Sequence, residues 1–312
     1  MKLSALRYLV AFADQLSFSR AAEQCHVSQP SLSVALQRLE DELGVLLIER
    51  GKHHVGLTEV GERVVAQARK SLEEVGRIEA VAHSGKDPLS GTCRLGVIHT
   101  IAPYLLPDLI PALRQIAPGL TLYIEESMTA LLADYLKYGT IDAAIVALPF
   151  DIPGIDTQIL YDEVFEAVVP QGHPWVGRER IATSEIGSQN VLVLKAGNCF
   201  REQVLDACPE ISHNDASMRQ GHSIETIRAM VASGYGVSVL PRSALSELYQ
   251  SELVVSIAFE EPAPMRRVAL AWRRGSAQEP VVQALAQAVR AMNKPAYQVV
   301  DCVTNRDVSM VG

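Results

Sequence analysis

With 312 residues, 48% of them hydrophobic and 21% charged, the chain is long enough for two or three domains and has the make-up of a soluble globular protein. A formal charge of -8 excludes a protein that is basic throughout, but residues 1–87 hold 11 Lys and Arg against 12 Asp and Glu, so most of the acidic excess lies beyond them. A local basic footprint for nucleic acid is therefore compatible with the total, and binding through it should be sensitive to salt. Five scattered cysteines, an odd number, argue against a disulfide scaffold and for a reducing cytoplasm.

The opening MKLSALRYLVAF is interrupted by Arg7 and has no cleavage site, so no export or membrane segment is expected. Leu3 to about Gln15 is read instead as an amphipathic helix whose Leu6, Tyr8, Leu9 and Phe12 cover a core. A short helix over Ser19–Cys25 follows, with Ala21 and Ala22 small enough for a second helix to cross closely. His26 and Val27 make the turn. Ser28 is placed to cap a helix over Gln29–Leu43, and Pro30 sits in its first turn, where a missing N–H costs nothing. Leu32, Leu36, Leu39 and Leu43 repeat at helical spacing, which turns Ser28, Gln29, Pro30, Ser31, Ser33, Gln37 and Arg38 outward. Short donors and acceptors near a helix N-terminus, with a cation behind them, suit the reading of base edges and the holding of phosphates. After Gly44, the runs Leu46–Glu49 and Val55–Leu57 flank a basic tip, so a wing is expected, with Arg50 and Lys52 toward DNA.

Thr58 caps a long helix reaching about Ser84, with apolar positions Val60, Val64, Ala68, Leu72, Val75, Ile78 and Ala82. No element of its own chain looks long enough to cover that stripe, so it is read as a dimerisation helix. Residues 85–91 form a hinge. From Thr92 the pattern alternates between apolar runs (Cys93–Ile98, Thr121–Glu125, Ala143–Leu148) and helical segments (Tyr104–Ile116, Ala130–Tyr138), which predicts a mostly parallel sheet. A second set begins at Val164–Val169 and continues through Val191–Leu194, helices from Cys199 and Ile224, Val237–Leu240, the strand Arg267–Trp272 and a helix over Val281–Met292. The residues from about Lys294 onward show no clear pattern, and a disordered tail is expected.

One segment, Gly197 to Pro209, combines features that bear on chemistry. Asn198 reads as a helix cap, which puts Cys199 at a helix N-terminus with Arg201 two residues on, and both favour a thiolate. Cys208 lies nine residues later. Across an unbroken helix the two Cα atoms would be ~13 Å apart, whereas a disulfide needs less than ~7 Å. If the two were to join, the helix between them would have to unwind. Cys25, Cys93 and Cys302 have no such setting. The histidines show no ligand spacing, and no phosphate loop or Ser/His/Asp set appears, so no metal, no cofactor and no hydrolase activity are expected.

The run SFSRAAEQCHVSQPSLSVALQRLEDELGVLLIER, with GLTEVG after it, resembles the N-terminal signature of the LysR-type transcriptional regulators. Further runs, HTIAPYLLPDLIPAL, YIEESMT, NCFREQVLDAC and SIETIRAMVASGYGVSVLP, are similar to the peroxide-sensing branch of that family. The resemblance implies a winged helix-turn-helix domain (1–58), a linker helix and hinge (59–90) and an α/β regulatory domain (91–295). That last domain would comprise two Rossmann-like subdomains, about 91–161 plus 267–295 and about 162–266, in the manner of periplasmic binding proteins, with a tail over 296–312. It further implies a homotetrameric activator, a dimer of dimers, working on double-stranded promoter DNA with RNA polymerase as a partner and a cellular thiol reductant to reset it. Cys199 falls on the family's peroxide-reacting cysteine, Cys208 on its resolving cysteine, and Thr100 and Thr129 on hydroxyls that place the peroxide. Arg266 is a candidate basic neighbour. Two departures stand out: Ile48 occupies a usually aromatic position, and Asn198 stands where the family commonly has a proton-carrying His. Two other readings follow from the same residues. In one, a small anionic effector binds the cleft near Thr100 and Thr129; in the other, the two cysteines turn over as a thiol peroxidase.

Overall fold

The computed structural model describes residues 1–50, 55–84, 89–211, 219–276, 278–292 and 294–300, and the chain separates into two compact units, Met1–Lys86 and Asp87–Gly312. In the first unit, α1 (Leu3–Gln15), α2 (Phe18–Gln24) and α3 (Gln29–Leu43) enclose a core of Leu6, Leu9, Phe12, Leu32, Leu36 and Leu39. Ser17 and Ser28 cap α2 and α3 by accepting from the backbone N–H groups of Arg20 and Ser31, and α3 stops where Gly44 takes a left-handed φ of 67°. Leu43, expected on the buried stripe, is 40% exposed, because the helix runs out past the core at its last turn.

The two-stranded wing, β1 (Ile48–Arg50) and β2 (Val55–Leu57), is pinned by a residue that sequence reading passed over. Glu40 is buried on α3, and its Oε1 accepts from the N–H groups of Leu47 and Ile48 at 2.8 and 3.0 Å. Thr58 holds the far side: its hydroxyl donates to the Leu46 carbonyl and accepts from Gly61 N–H, which caps α4 (Glu59–Ser84). Gly61 has no room for a side chain, since a Cβ there would lie 2.1 Å from the Leu47 carbonyl oxygen. The stripe of α4 is not wholly uncovered, as had been expected. Its first half packs on α1, burying Val65 and Ala68, whereas Ile78 is exposed. Among the described residues no helix is long and apolar enough to cross a membrane.

The second unit begins with β3 (Gly91–Ile98), α5 (Ala102–Ile116), β4 (Leu120–Ser127), α6 (Thr129–Tyr138) and β5 (Ala143–Ala147), in which β3 pairs parallel with both β4 and β5. Next come β6 (Ile155–Pro170), β7 (Arg180–Ile181), α7 (Thr183–Ile186), β8 (Val191–Leu194), α8 (Cys199–Ala207) and β9 (Arg219–Gly221). The chain closes with α9 (Ile224–Ala232), β10 (Val237–Pro241), β11 (Val254–Phe259), β12 (Met265–Arg273), α10 (Glu279–Ala291) and β13 (Gln298–Val299). The strand order β4-β3-β5-β12-β6-β10-β8-β9 is mixed, not mostly parallel: β6 runs antiparallel to both β12 and β10.

The 16-residue β6 is the axis of this unit. Its first half pairs with β12 against one hydrophobic core and its second half pairs with β10 and β11 against another. The expected strand began only at Val164, whereas β6 starts at Ile155 and its first half buries the polar Asp156, Thr157, Gln158 and Glu163. The tail also differs from expectation as far as Val299. Tyr297 packs against Tyr161 with the rings tilted at 43°, and β13 pairs with β6. The rest of the expected tail, with Cys302, lies outside the described residues.

Candidate functional site

On the face of α3 expected to read DNA, Gln29, Pro30, Ser31, Gln37 and Arg38 are exposed and Ser33 is half-buried. Ser28 is exposed too, but its hydroxyl already accepts from Ser31 N–H and lies 2.8 Å from the Ser31 hydroxyl. It serves as the cap of α3. The side chain of Arg50 and all of Lys52 lie outside the described residues.

A second site forms where the C-terminal ends of β3 and β8 meet β6 and β12. Arg266 and Glu163 are directly opposite in the β12–β6 register, and both side chains are fully buried. Desolvation of a cation at such a place is costly unless it is paired and its donors are all used. Here each of the three nitrogens has an acceptor: Arg266 Nε donates to Glu163 Oε2 at 2.7 Å, Nη1 to Thr100 Oγ1 at 3.0 Å and Nη2 to the Thr100 carbonyl at 3.0 Å. The other oxygen of Glu163 accepts from Ser243 N–H at 2.8 Å. Burial works against the arginine's charge, but Glu163, Tyr161 and Cys199 outweigh it, so its proton is held more firmly than usual. Arg266, read from sequence as a basic neighbour, is therefore an interior residue, and Glu163 is its missed counterion. The two are 103 residues apart, and nothing local in the sequence announces the pair.

This pairing fixes the chemistry of Thr100. An arginine can only donate, so the buried Thr100 oxygen is occupied as an acceptor and its own O–H is left to point elsewhere. Thr129, at the first turn of α6, has a buried Oγ1 with no hydrogen-bond partner among the described residues. An enclosed hydroxyl without a partner marks a place where a small polar molecule would gain a bond. The turn into α8 reaches the same place. Gly197, at φ 92°, has the position of an absent Cβ 4.0 Å from Met128 Sδ, next in the chain to Thr129.

Asn198 caps α8 as expected, its Oδ1 accepting from Phe200 N–H at 3.1 Å, and Cys199 stands half-buried at the first position. The guanidinium of Arg201 donates to the Leu194 carbonyl at 3.1 Å and approaches Glu202. The buried guanidinium of Arg266 is electrostatically coupled to Cys199. Cys199 packs against the first core of the unit, while Phe200, Val204 and Cys208 belong to the second. Both cysteines are free thiols. Cys208 is fully buried, and desolvation together with Glu210 pushes its pKa up to about 12, so it is a neutral thiol near pH 7. Cys25 is half-buried in the first unit and Cys93 is buried in β3, where burial and Asp142 push it up to about 12.

Comparison with known proteins adds the following. The family model described as "Bacterial regulatory helix-turn-helix protein, lysR family" matches residues 3–62, and that described as "LysR substrate binding domain" matches residues 86–294. The chain is 38% identical over 290 residues to the "Hydrogen peroxide-inducible genes activator" of Dickeya chrysanthemi, covering 93% of this chain and 95% of that protein. It is 37% identical over 291 residues to the "DNA-binding transcriptional dual regulator OxyR" of Escherichia coli strain K12, covering 93% and 95%. Among solved structures, full-length OxyR of Pseudomonas aeruginosa, a cysteine-to-aspartate variant, matches with a TM-score of 0.79 at 43% identity, covering 96% of this chain and 98% of that one. The hydrogen-peroxide-bound cysteine-to-serine mutant of Corynebacterium glutamicum OxyR matches with a TM-score of 0.64 at 31% identity, covering 93% and 92%.

Proposed function

Because this chain belongs to the LysR family of DNA-binding transcriptional regulators, in its OxyR-like branch, we propose that it senses hydrogen peroxide through Cys199 and Cys208 and answers by changing how it engages promoter DNA. The observation that supports the reading is the state of the two threonine hydroxyls. That of Thr100 accepts from Arg266 and so has its own O–H free to donate, that of Thr129 is buried with no hydrogen-bond partner among the described residues, and Cys199, electrostatically coupled to the same Arg266, stands at a helix N-terminus. Peroxide fits that set, being small, uncharged and able to donate and accept.

The Cys199 thiolate attacks one peroxide oxygen, the O–O bond breaks, and the departing hydroxide takes up a proton to leave as water. Cys199 becomes a sulfenic acid. Thr100 and Thr129 steady the two oxygens, and the fixed charge of Arg266 favours the anionic nucleophile. Asn198 holds the cap but carries no proton, so the proton for the departing oxygen comes from water or from a hydroxyl of the site. Cys208, once deprotonated, displaces hydroxide from the sulfenic sulfur, which forms the disulfide and a second water. That step cannot occur with α8 intact, since ~13 Å of helix rise separates the pair. The segment must unwind and Cys208 must leave the second core, so a reaction at two sulfur atoms becomes a change of shape. A dimer of dimers, RNA polymerase and a thiol reductant complete the proposal as partners.

The test is mass spectrometry of the intact and digested protein after a brief exposure to a small excess of peroxide, with thiols blocked at once. A Cys199–Cys208 disulfide that precedes change at Cys25, Cys93 and Cys302, and that is absent from Cys208→Ser, is the expected result. Cys199 left unmodified, or all five cysteines oxidised slowly and alike, overturns the redox input in favour of an effector bound near Thr100 and Thr129. Sustained peroxide consumption with a recycling reductant would favour a peroxidase instead.

A further inference from the structure

The outward face of α3 is not uniformly polar. Val34 is 50% exposed at its middle. With about 3.6 residues per turn, each residue advances the direction by roughly 100°, and Val34 then points about 175° away from the mean direction of the buried Leu32, Leu36, Leu39 and Glu40. The residues one turn before and after it are Pro30, Ser31, Gln37 and Arg38, all exposed. Val34 therefore sits at the centre of the patch whose rim the hydrogen-bonding residues form. An apolar side chain there gains nothing from water, and a polar base edge pressed against it would lose its own hydration without a new partner. Only one base offers the major groove an apolar group: thymine, through its 5-methyl. Asp41, exposed on the same stripe near the C-terminal end, opposes phosphate, so the N-terminal half of α3 is the part that fits into a groove.

We infer that Val34 is a specificity-determining residue for DNA: it packs on the 5-methyl group of a thymine beneath the centre of α3, while Gln29, Ser31, Gln37 and Arg38 bond to edges and phosphates around it. The contact is additional to the polar readout and independent of the redox chemistry.

The experiment uses the full chain with its thiols reduced. It first selects duplexes from a random-sequence pool, and an enriched duplex is then remade with deoxyuridine in place of each thymine in turn, which deletes only the methyl group. For the unaltered protein, at least one replacement is expected to weaken binding about fourfold, the worth of one buried methyl group. Val34→Ala, a change at a half-exposed position to a better helix former, keeps the fold and binds the thymine and uracil forms of that duplex equally. If no single replacement weakens the unaltered protein, the inference is overturned. It is overturned equally if Val34→Ala keeps the preference at every thymine that the unaltered protein distinguishes.

Discussion

Glu163 shows how much one side chain carries at the candidate site. It accepts from Arg266 and from Ser243 N–H, both buried. Glu163→Gln keeps the shape but removes the charge and offers one acceptor where two are needed, so it should destabilise the protein by about 3–5 kcal/mol, read by chemical denaturation. Thr100→Val tests the chemistry more than the fold. It should slow oxidation of Cys199 by peroxide about 10²-fold, the usual cost of one placed donor. The reaction of Cys199 with iodoacetamide, which needs no such donor, should hardly change, and an equal fall in both rates would point to a damaged site. In the first unit, Gly61→Ala forces a Cβ onto the Leu47 carbonyl oxygen and should cost about 1–3 kcal/mol in thermal or denaturant unfolding, with the wing the first part to loosen.

Among the elements, α8 makes the sharpest statement about pH. Folding raises the Cys208 pKa from 9.0 to about 12 by burial and the charge of Glu210. Between these values the folded chain holds a proton that the unfolded chain has lost, so this stabilising contribution is complete below pH 9 and drains away as pH rises toward 12. Cys93 acts with the same sign. Cys208→Ala should therefore show a shallower loss of stability than the unaltered protein across that window, measured by urea denaturation at successive pH values. Elements governed by local rules were legible before any coordinates. α1 follows its leucine spacing, α3 its leucine spacing and its Ser28 cap, and Asn198 and Cys199 open α8 as the cap rule requires. The first half of β6 and the whole of β11 were not, and β6 shows why. Its buried Asp156 and Glu163 make sense only through partners distant in sequence, Arg274 just past β12 for Asp156 and Arg266 on β12 for Glu163. For the same reason Arg266 was named from sequence while its burial and its grip on Thr100 were not.

At the scale of the whole molecule, a net charge of -8 coexists with a DNA-binding fold, so affinity for DNA must come from a few cations held in place. The logarithm of the binding constant should fall steeply and linearly with the logarithm of salt concentration, and Arg38→Ala should reduce that slope by about 1 if Arg38 holds a phosphate. Measurement of binding by anisotropy over a salt series decides this. The two cysteines at the ends of α8, one against each core of the second unit, also bear on time. Under the proposed redox switch, with Cys208 sealed in as a neutral thiol, oxidation of Cys199 and closure of the disulfide would be separate events, divided by the wait for a helix to open. A cellular reductant would act during that wait. A passing trace of oxidant would be erased before it is recorded, and only an exposure that outlasts the opening of α8 would be written into the fold, so the helix would act as a delay line that filters noise from signal.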